Sequence, residues 1–284
     1  MSAESHPAQP EGNHARRFTA IWLIASLIAT PLVIFVLGPE LPPGNGSDVA
    51  SGQVTDNTVL LAMATPVLLL VVIYLLYAII VFRQPAGAAL EGPAVRGDTK
   101  IQTTWIVVTS ILVLSLAAYG TVRLEQGYGA GSGSGPKPLT VPKGPKLEVQ
   151  VIAQQWAFTY RYPGYGGVET THLVLPVDQT VELHVTSIDA IHSFWAYQLG
   201  VKADANPGVD NVAFFRPTRE QIFEVHCAEL CGIWHGAMFD HGRIVSAPAF
   251  ALWIREQQIR FAPATKVLEP YAKTYSPEPT RRAH

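Results

Sequence analysis

The sequence predicts a membrane-anchored all-β protein, with apolar helices first and an antiparallel β-sandwich or barrel after them. Three observations carry that expectation. Residues 18–37, 59–82 and 101–122 are long, apolar and nearly free of charge. Residues 126–138 read QGYGAGSGSGPKP, a stretch with nothing to bury. From about residue 145 the chain changes to short alternating runs punctuated by Pro, Gly and Asp.

Each apolar stretch is long enough to cross a bilayer as a helix, given about 20 residues per span. With 48% hydrophobic residues and mean hydropathy +0.20, the composition excludes a simple soluble protein. The net charge of −2, with no basic cluster, gives no ground for nucleic-acid binding. Arg16 and Arg17 precede the first stretch, so it competes as the core of a signal peptide. It is long for that, and it ends Leu37-Gly38-Pro39-Glu40 without a small-x-small cleavage site, so a retained helix or signal anchor is expected. Residues 1–17 then form a cytoplasmic tail. Arg83, Arg96 and Lys100 lie between the second and third stretches, whereas residues 38–58 contain no Lys or Arg. The positive-inside rule puts both basic segments in the cytoplasm of a bacterial-type membrane and everything after the third span on the outer, periplasmic side.

Residues 123–144 serve as a Gly/Ser/Pro-rich linker to a compact domain at 145–260. Its strand candidates are 147–152, 157–162, 172–175, 180–186, 222–225 and 242–246, with a short closing helix at 250–259. Residues 261–284, rich in Pro, Thr and charge, read as a flexible tail.

The chemistry concentrates in Cys227-Ala-Glu-Leu-Cys231-Gly-Ile-Trp-His235-Gly-Ala-Met238. This offers two thiols, an imidazole and a thioether, and a thioether favours copper over zinc, magnesium or calcium. The C-x3-H-x2-M half is similar to the ligand loop of single-copper electron-transfer proteins. A second cysteine one turn away can make both thiolates bridge a pair of copper ions. A second imidazole must then come from elsewhere, and His192, just after the alternating run 181–187, is the candidate, placed where a strand runs into a loop. The Glu229 carbonyl is a further possible donor, its side chain pointing away. Cys227 and Cys231 are the only cysteines, so a disulfide is the competing reading. It would close a very small loop and stabilise little, and it would leave His235 and Met238 at ligand spacing by accident.

A membrane hairpin followed by an outward β domain with the pattern H-x34-C-x3-C-x3-H-x2-M resembles the cytochrome c oxidase subunit II family, over about residues 59–251. Gln155-Trp156 and Lys202-Ala-Asp204-Ala-Asn-Pro207-Gly208 match further signatures of that family. The resemblance implies a cupredoxin-like fold and a binuclear CuA centre held by His192, Cys227, Glu229 (through its carbonyl), Cys231, His235 and Met238. It implies electron entrance at Trp156 from cytochrome c or a tethered cytochrome c domain. Transfer would be to a haem-bearing catalytic subunit I, among other oxidase subunits, where oxygen is reduced to water. It also implies a magnesium ion at the subunit contact, bound by the Glu229 carboxylate, and an acidic docking residue at Asp189. A CuA subunit of a nitric oxide reductase shares the pattern. A membrane-tethered copper chaperone or thiol oxidoreductase shares only the C-x3-C and a distant His.

Some positions depart from the family. Gln102 stands where a membrane-entrance glutamate is often found, with Glu91 and Asp98 as nearby acids. Ile188 replaces an often acidic residue, and His226 precedes the first cysteine. As the strand neighbour of a ligand, His226 faces away from the site. His172 and His241 are expected to be ordinary β-domain histidines, and a first helix adds to the usual two spans.

Overall fold

The structure is a computed structural model that describes residues 13–83, 97–126 and 141–265. Most of the expected cytoplasmic tail, the loop with Glu91 and Arg96, linker residues 127–140 and the tail beyond 265 lie outside the described residues. The chain forms two compact units, one of Met1–Leu41 with Thr55–Arg96, the other of Pro42–Val54 with Gly97–His284.

Three helices, α1 (His14–Leu32), α2 (Asp48–Val81) and α3 (Thr99–Gln126), are long and apolar enough to cross a membrane. Their large apolar side chains, such as Leu27, Ile28, Ile80 and Ile101, are exposed, a surface suited to lipid. Asn13 caps α1 by accepting from the Arg16 amide. Beyond Pro31, which lacks an amide donor, α1 widens into a π turn at Val33–Leu37 and a 3-10 turn at Gly38–Glu40. Helix α2 begins well before the apolar stretch at 59, because Asp48–Thr58 is polar and helical.

In the second unit ten strands make two five-stranded sheets. They are β1 (Leu147–Gln154), β2 (Ala157–Tyr162), β3 (Val168–Thr170), β4 (Val174–Pro176) and β5 (Val181–Ser187), then β6 (His192–Ala196), β7 (Val201–Ala205), β8 (Asn211–Phe215), β9 (Gln221–Cys227) and β10 (Phe239–Val245). One sheet runs β3-β2-β1-β5-β8 and the other β4-β10-β9-β6-β7. The fold is a cupredoxin-like sandwich. It is mixed rather than purely antiparallel, since β1 pairs with β5 and β10 with β4 in parallel. The expectation of antiparallel pairing fails because each parallel pair joins strands from distant parts of the domain, which no local turn signal announces.

Alternation decides which side chains enter the core. In β9, Phe223, Val225 and Cys227 are buried while Ile222 and Glu224 are exposed. In β10, Asp240, Gly242 and Ile244 face in while Phe239, His241 and Arg243 face out. Phe194 of β6 meets Phe158 and Tyr160 of the opposite sheet edge-on, at 5.7 and 6.4 Å between ring centroids. Each fully buried large apolar side chain contributes about 1.5–3 kcal/mol. Helix α4 (Ala247–Thr265), longer than the expected 250–259, closes one end by burying Phe250 and Ile254.

Candidate metal centre

The ends of β6 and β9 and the loop leading into β10 assemble the site. Phe194 lies opposite Cys227 in the β6–β9 ladder, so His192, two residues along β6 on the same face, reaches the same corner. His192 is fully buried. It opens strand β6 rather than lying in the loop after β5, because the intervening turn is only four residues long, Ile188–Ile191. The Cys227 amide donates to the Met238 carbonyl at 3.1 Å, and the Ala228 amide to Ser193 at 2.9 Å. These two bonds pin both ends of the loop. Within it, Gly232 has φ +118°, a conformation L side chains avoid. A Cβ there would lie 3.2 Å from Gln155 Nε2 and 3.4 Å from the Trp156 ring.

The side chains converge through sulfur. Cys227 Sγ is 3.8 Å from His192 Nδ1, 3.8 Å from Cys231 Sγ and 3.2 Å from the Glu229 carbonyl. Cys231 Sγ is 3.6 Å from His235 Nδ1 and 3.9 Å from Met238 Sδ. His192, Cys227 and Cys231 present ligand atoms all within 4.8 Å of one another. Both cysteines are free, their sulfurs well beyond a disulfide bond length of about 2.05 Å. The structure therefore brings His192, Cys227, Cys231, His235, Met238 and the Glu229 carbonyl together, while the Glu229 side chain is exposed and turned away.

The donor set fits copper: two soft sulfurs as potential bridges, two imidazole Nδ1 atoms at opposite ends, a thioether and a carbonyl. Burial, with Cys227 and the Asp189 carboxylate nearby, pushes the Cys231 thiol up to about 11. Two thiolates side by side here call for a cation between them.

A second layer of side chains holds these groups in place. Asp189 Oδ1 is 2.9 Å from His192 Nε2, and its Oδ2 accepts the Gln155 amide at 2.7 Å. Partial burial works against its ionisation, but the Gln155 and Ala190 amides and His192 together hold the Asp189 carboxyl below its usual range. Asp189 thus engages His192 and the Gln155 amide while it remains exposed at the surface. Trp156 is half-buried, and its indole N–H donates to the Cys231 carbonyl at 3.2 Å, beside Gln155 Nε2 at 2.8 Å on the same oxygen. The sequence reading missed Gln155 as a support, since only the fold brings it to residue 231.

His226 faces the outer side of the sheet and pairs with Glu224 at 3.2 Å. His172 binds the buried Asp240 carboxylate, and His241 packs against Phe239. Gln102 is exposed on α3. A groove of about 570 Å³ lined by Glu169, His172, Arg243, Trp253 and Arg260 lies elsewhere, and none of the candidate ligands lines it.

Fold and site together define a membrane-anchored cupredoxin-like protein with a buried cluster of side chains able to hold a metal ion. Residues 168–240 match the family described as cytochrome C oxidase subunit II, periplasmic domain. The cytochrome c oxidase subunit 2 of Thermostichus vulcanus is 26% identical over 284 residues, covering 84% of this chain and 86% of that protein. That of Lachancea thermotolerans is 44% identical over 139 residues, 40% of this chain and 55% of the relative. The periplasmic domain of subunit II of the Bradyrhizobium japonicum cytochrome oxidase is 31% identical, covering 43% of this chain and 99% of that domain, with a TM-score of 0.41. The chain belongs to the cytochrome c oxidase subunit II family, and is a subunit of an oxidoreductase complex.

Proposed function

We propose that this chain is the electron-accepting subunit of a terminal respiratory oxidase. It takes electrons from cytochrome c and passes them to haem in a catalytic partner subunit that reduces oxygen to water. The observation that carries the reading is the pair of free, buried sulfurs, 3.8 Å apart, each with its own imidazole Nδ1 within 3.8 Å. His192, Cys227, Cys231, His235, Met238 and the Glu229 carbonyl would hold a binuclear copper centre. Bound there, a copper pair would supply one-electron chemistry with little change in bond lengths.

The chain's own residues do the rest. Asp189 fixes the His192 ring with its Nε2–H toward the carboxylate, leaving Nδ1 free to ligate. Gln155 and Trp156 hold the Cys231 carbonyl, linking the indole to a ligand residue by one hydrogen bond and supporting Trp156 as the point where electrons arrive. Burial of His192, Cys227, Cys231 and Met238 keeps water from their donor atoms. Leu230, Ile233 and Trp234 stand exposed on the loop, a surface suited to cover by another subunit. The outward Glu229 carboxylate is free to serve a magnesium ion at that contact. The three apolar helices and the Lys and Arg distribution support a chain held in the energy-transducing membrane with its β domain on the outer side.

Low-temperature EPR with metal analysis on the copper-loaded full chain tests the assignment. A copper pair sharing one unpaired electron gives a seven-line hyperfine pattern with two coppers per chain. One copper with four lines, or an oxidised Cys227–Cys231 pair binding none, would sink the binuclear reading and favour a copper chaperone.

A further inference from the structure

We propose that Pro42–Val54, the segment that opens helix α2, is built into the β domain as a non-covalent anchor, so that the domain is fastened to a membrane helix here as well as through the chain after α3. By sequence this segment is a polar connection between two apolar stretches. Such connections ordinarily leave their backbone to water. This one is bonded and packed like a domain core.

Ser47 is fully buried, its Oγ donating to the Leu199 carbonyl at 2.6 Å while accepting the Ala50 amide at 3.0 Å. The Gln53 side chain donates to the Gly200 carbonyl at 2.7 Å. Asp48 exchanges two bonds with the Arg216 backbone, its amide donating at 3.1 Å and its carboxylate accepting at 2.8 Å. Thr218 donates through its amide to Gly46 at 3.1 Å and through its hydroxyl to Asn45 at 2.7 Å.

Two glycines mark how close the surfaces come. A Cβ on Gly46 would lie 2.2 Å from Gln221 Nε2 and 2.5 Å from the Gln198 carbonyl. A Cβ on Gly200, at φ +65°, would lie 2.9 Å from the Ala50 Cα. Ala50 is itself fully buried. Neither position tolerates a side chain while the contact holds.

The grip falls on particular strands. Leu199 and Gly200 follow β6, whose first residue is His192, and Gln221 opens β9, whose last residue is Cys227. The anchor thus holds the ends of β6 and β9 opposite to the candidate metal centre. Its purpose does not depend on which metal or electron donor is used.

The test cuts the covalent link alone. A protease site is placed within residues 127–140 of the full chain, and the chain is put alone into proteoliposomes, so that no partner subunit can retain the domain. After complete cleavage the β domain is expected to float with the vesicles. The Gly46→Val chain is expected to shed it to the soluble fraction on cleavage, whereas Gly164→Ala, where a Cβ meets nothing within 4 Å, keeps it. Circular dichroism of the shed domain separates a lost anchor from an unfolded one. If Gly46→Val unfolds, the milder pair Thr218→Val with Gln53→Leu decides, and it should shed the domain faster than wild type. Release of the wild-type domain on cutting, or retention by the folded anchor variants equal to wild type, overturns the proposal.

Discussion

Asp189 spends one carboxylate oxygen on His192 Nε2 and the other on the Gln155 amide, and so joins a candidate ligand to the residue beside Trp156. Asp189→Asn keeps the shape but leaves one acceptor oxygen to serve both His192 Nε2 and the Gln155 N–H, with an NH2 in the other place. Loss of a carboxylate partner to a ligating histidine typically costs 10–100-fold in metal affinity. A drop in copper affinity of about tenfold or more, read by chelator competition, is the expected outcome, and unchanged affinity would show that the ring is held by packing alone. Far from the site, His184 lies between Asp210 at 2.9 Å, Glu148 at 3.3 Å and Glu182 at 3.7 Å. Burial lowers its pKa, but hydrogen bonds and charge from Asp210 and Glu148 outweigh it and hold the imidazole up at about 9. Because the folded value lies above the ordinary 6.5, the stabilisation is complete below about pH 6.5 and is lost as pH rises through about 9. The gap corresponds to about 3 kcal/mol at most. Melting curves of the chain between pH 6 and 10 should show this alkaline loss, and His184→Gln should flatten it. A profile identical in the two proteins would remove His184 as its source.

At the level of elements, the β9–β10 pair carries the most demanding packing. Gly242 sits across from Phe223, and a Cβ there would come 2.2 Å from the Phe223 ring. Gly242→Ala is expected to destabilise the domain by about 1–3 kcal/mol, the usual cost of overpacking, seen as a lower midpoint in urea. A midpoint within error of wild type would mean that the ring moves aside freely. Tyr162 does a different job, its fully buried hydroxyl donating to the Val174 carbonyl at 2.9 Å and accepting the Val174 amide at 3.0 Å. Burial pushes its pKa well up, so it stays a neutral donor. Tyr162→Phe removes this partner from both Val174 backbone groups and should cost about 1–3 kcal/mol. These elements also show what could be read in advance. The middle of β9 was legible at 222–225, but β10 was legible only from Gly242, because Phe239 faces out and Asp240 faces in, against the apolar pattern. Strand β8, Asn-Val-Ala-Phe-Phe, is buried along its whole length and shows no period, and β6 follows β5 after too short a turn to separate by pattern. The chemistry of residues 227–238 was plain, because every group there is fixed by local spacing. Asp189 and Gln155 acquired their roles only when β1, β2 and β6 were brought together.

For the whole molecule, the question is whether the first apolar stretch belongs to the mature protein. Within its unit, α1 is fitted to α2 by specific bonds along its length. His14 Nδ1 meets Tyr77 Oη at 2.8 Å, and the Trp22 indole donates to the Pro66 carbonyl at 2.8 Å. Phe18 meets Tyr74 edge-on at 6.0 Å between ring centroids, and a Cβ on Gly38 would lie 2.9 Å from Thr58. In hydrocarbon such polar groups have no water to turn to, so a helix that satisfies them is suited to stay. Combined with the Lys and Arg distribution, this predicts a retained first span, with residues 38–58 and the β domain outside and Arg83 inside. Reporter cysteines at exposed Glu40, Arg83 and Lys143, in a chain with Cys227 and Cys231 replaced, separate the possibilities. A membrane-impermeant reagent should label positions 40 and 143 in intact cells and reach 83 only after the membrane is opened. Mass spectrometry of the mature chain should find peptides from 18–37. Labelling of position 83 in intact cells would reverse the orientation, and absence of the 18–37 peptides would show a cleaved signal, leaving α2 and α3 as the only spans among the described residues.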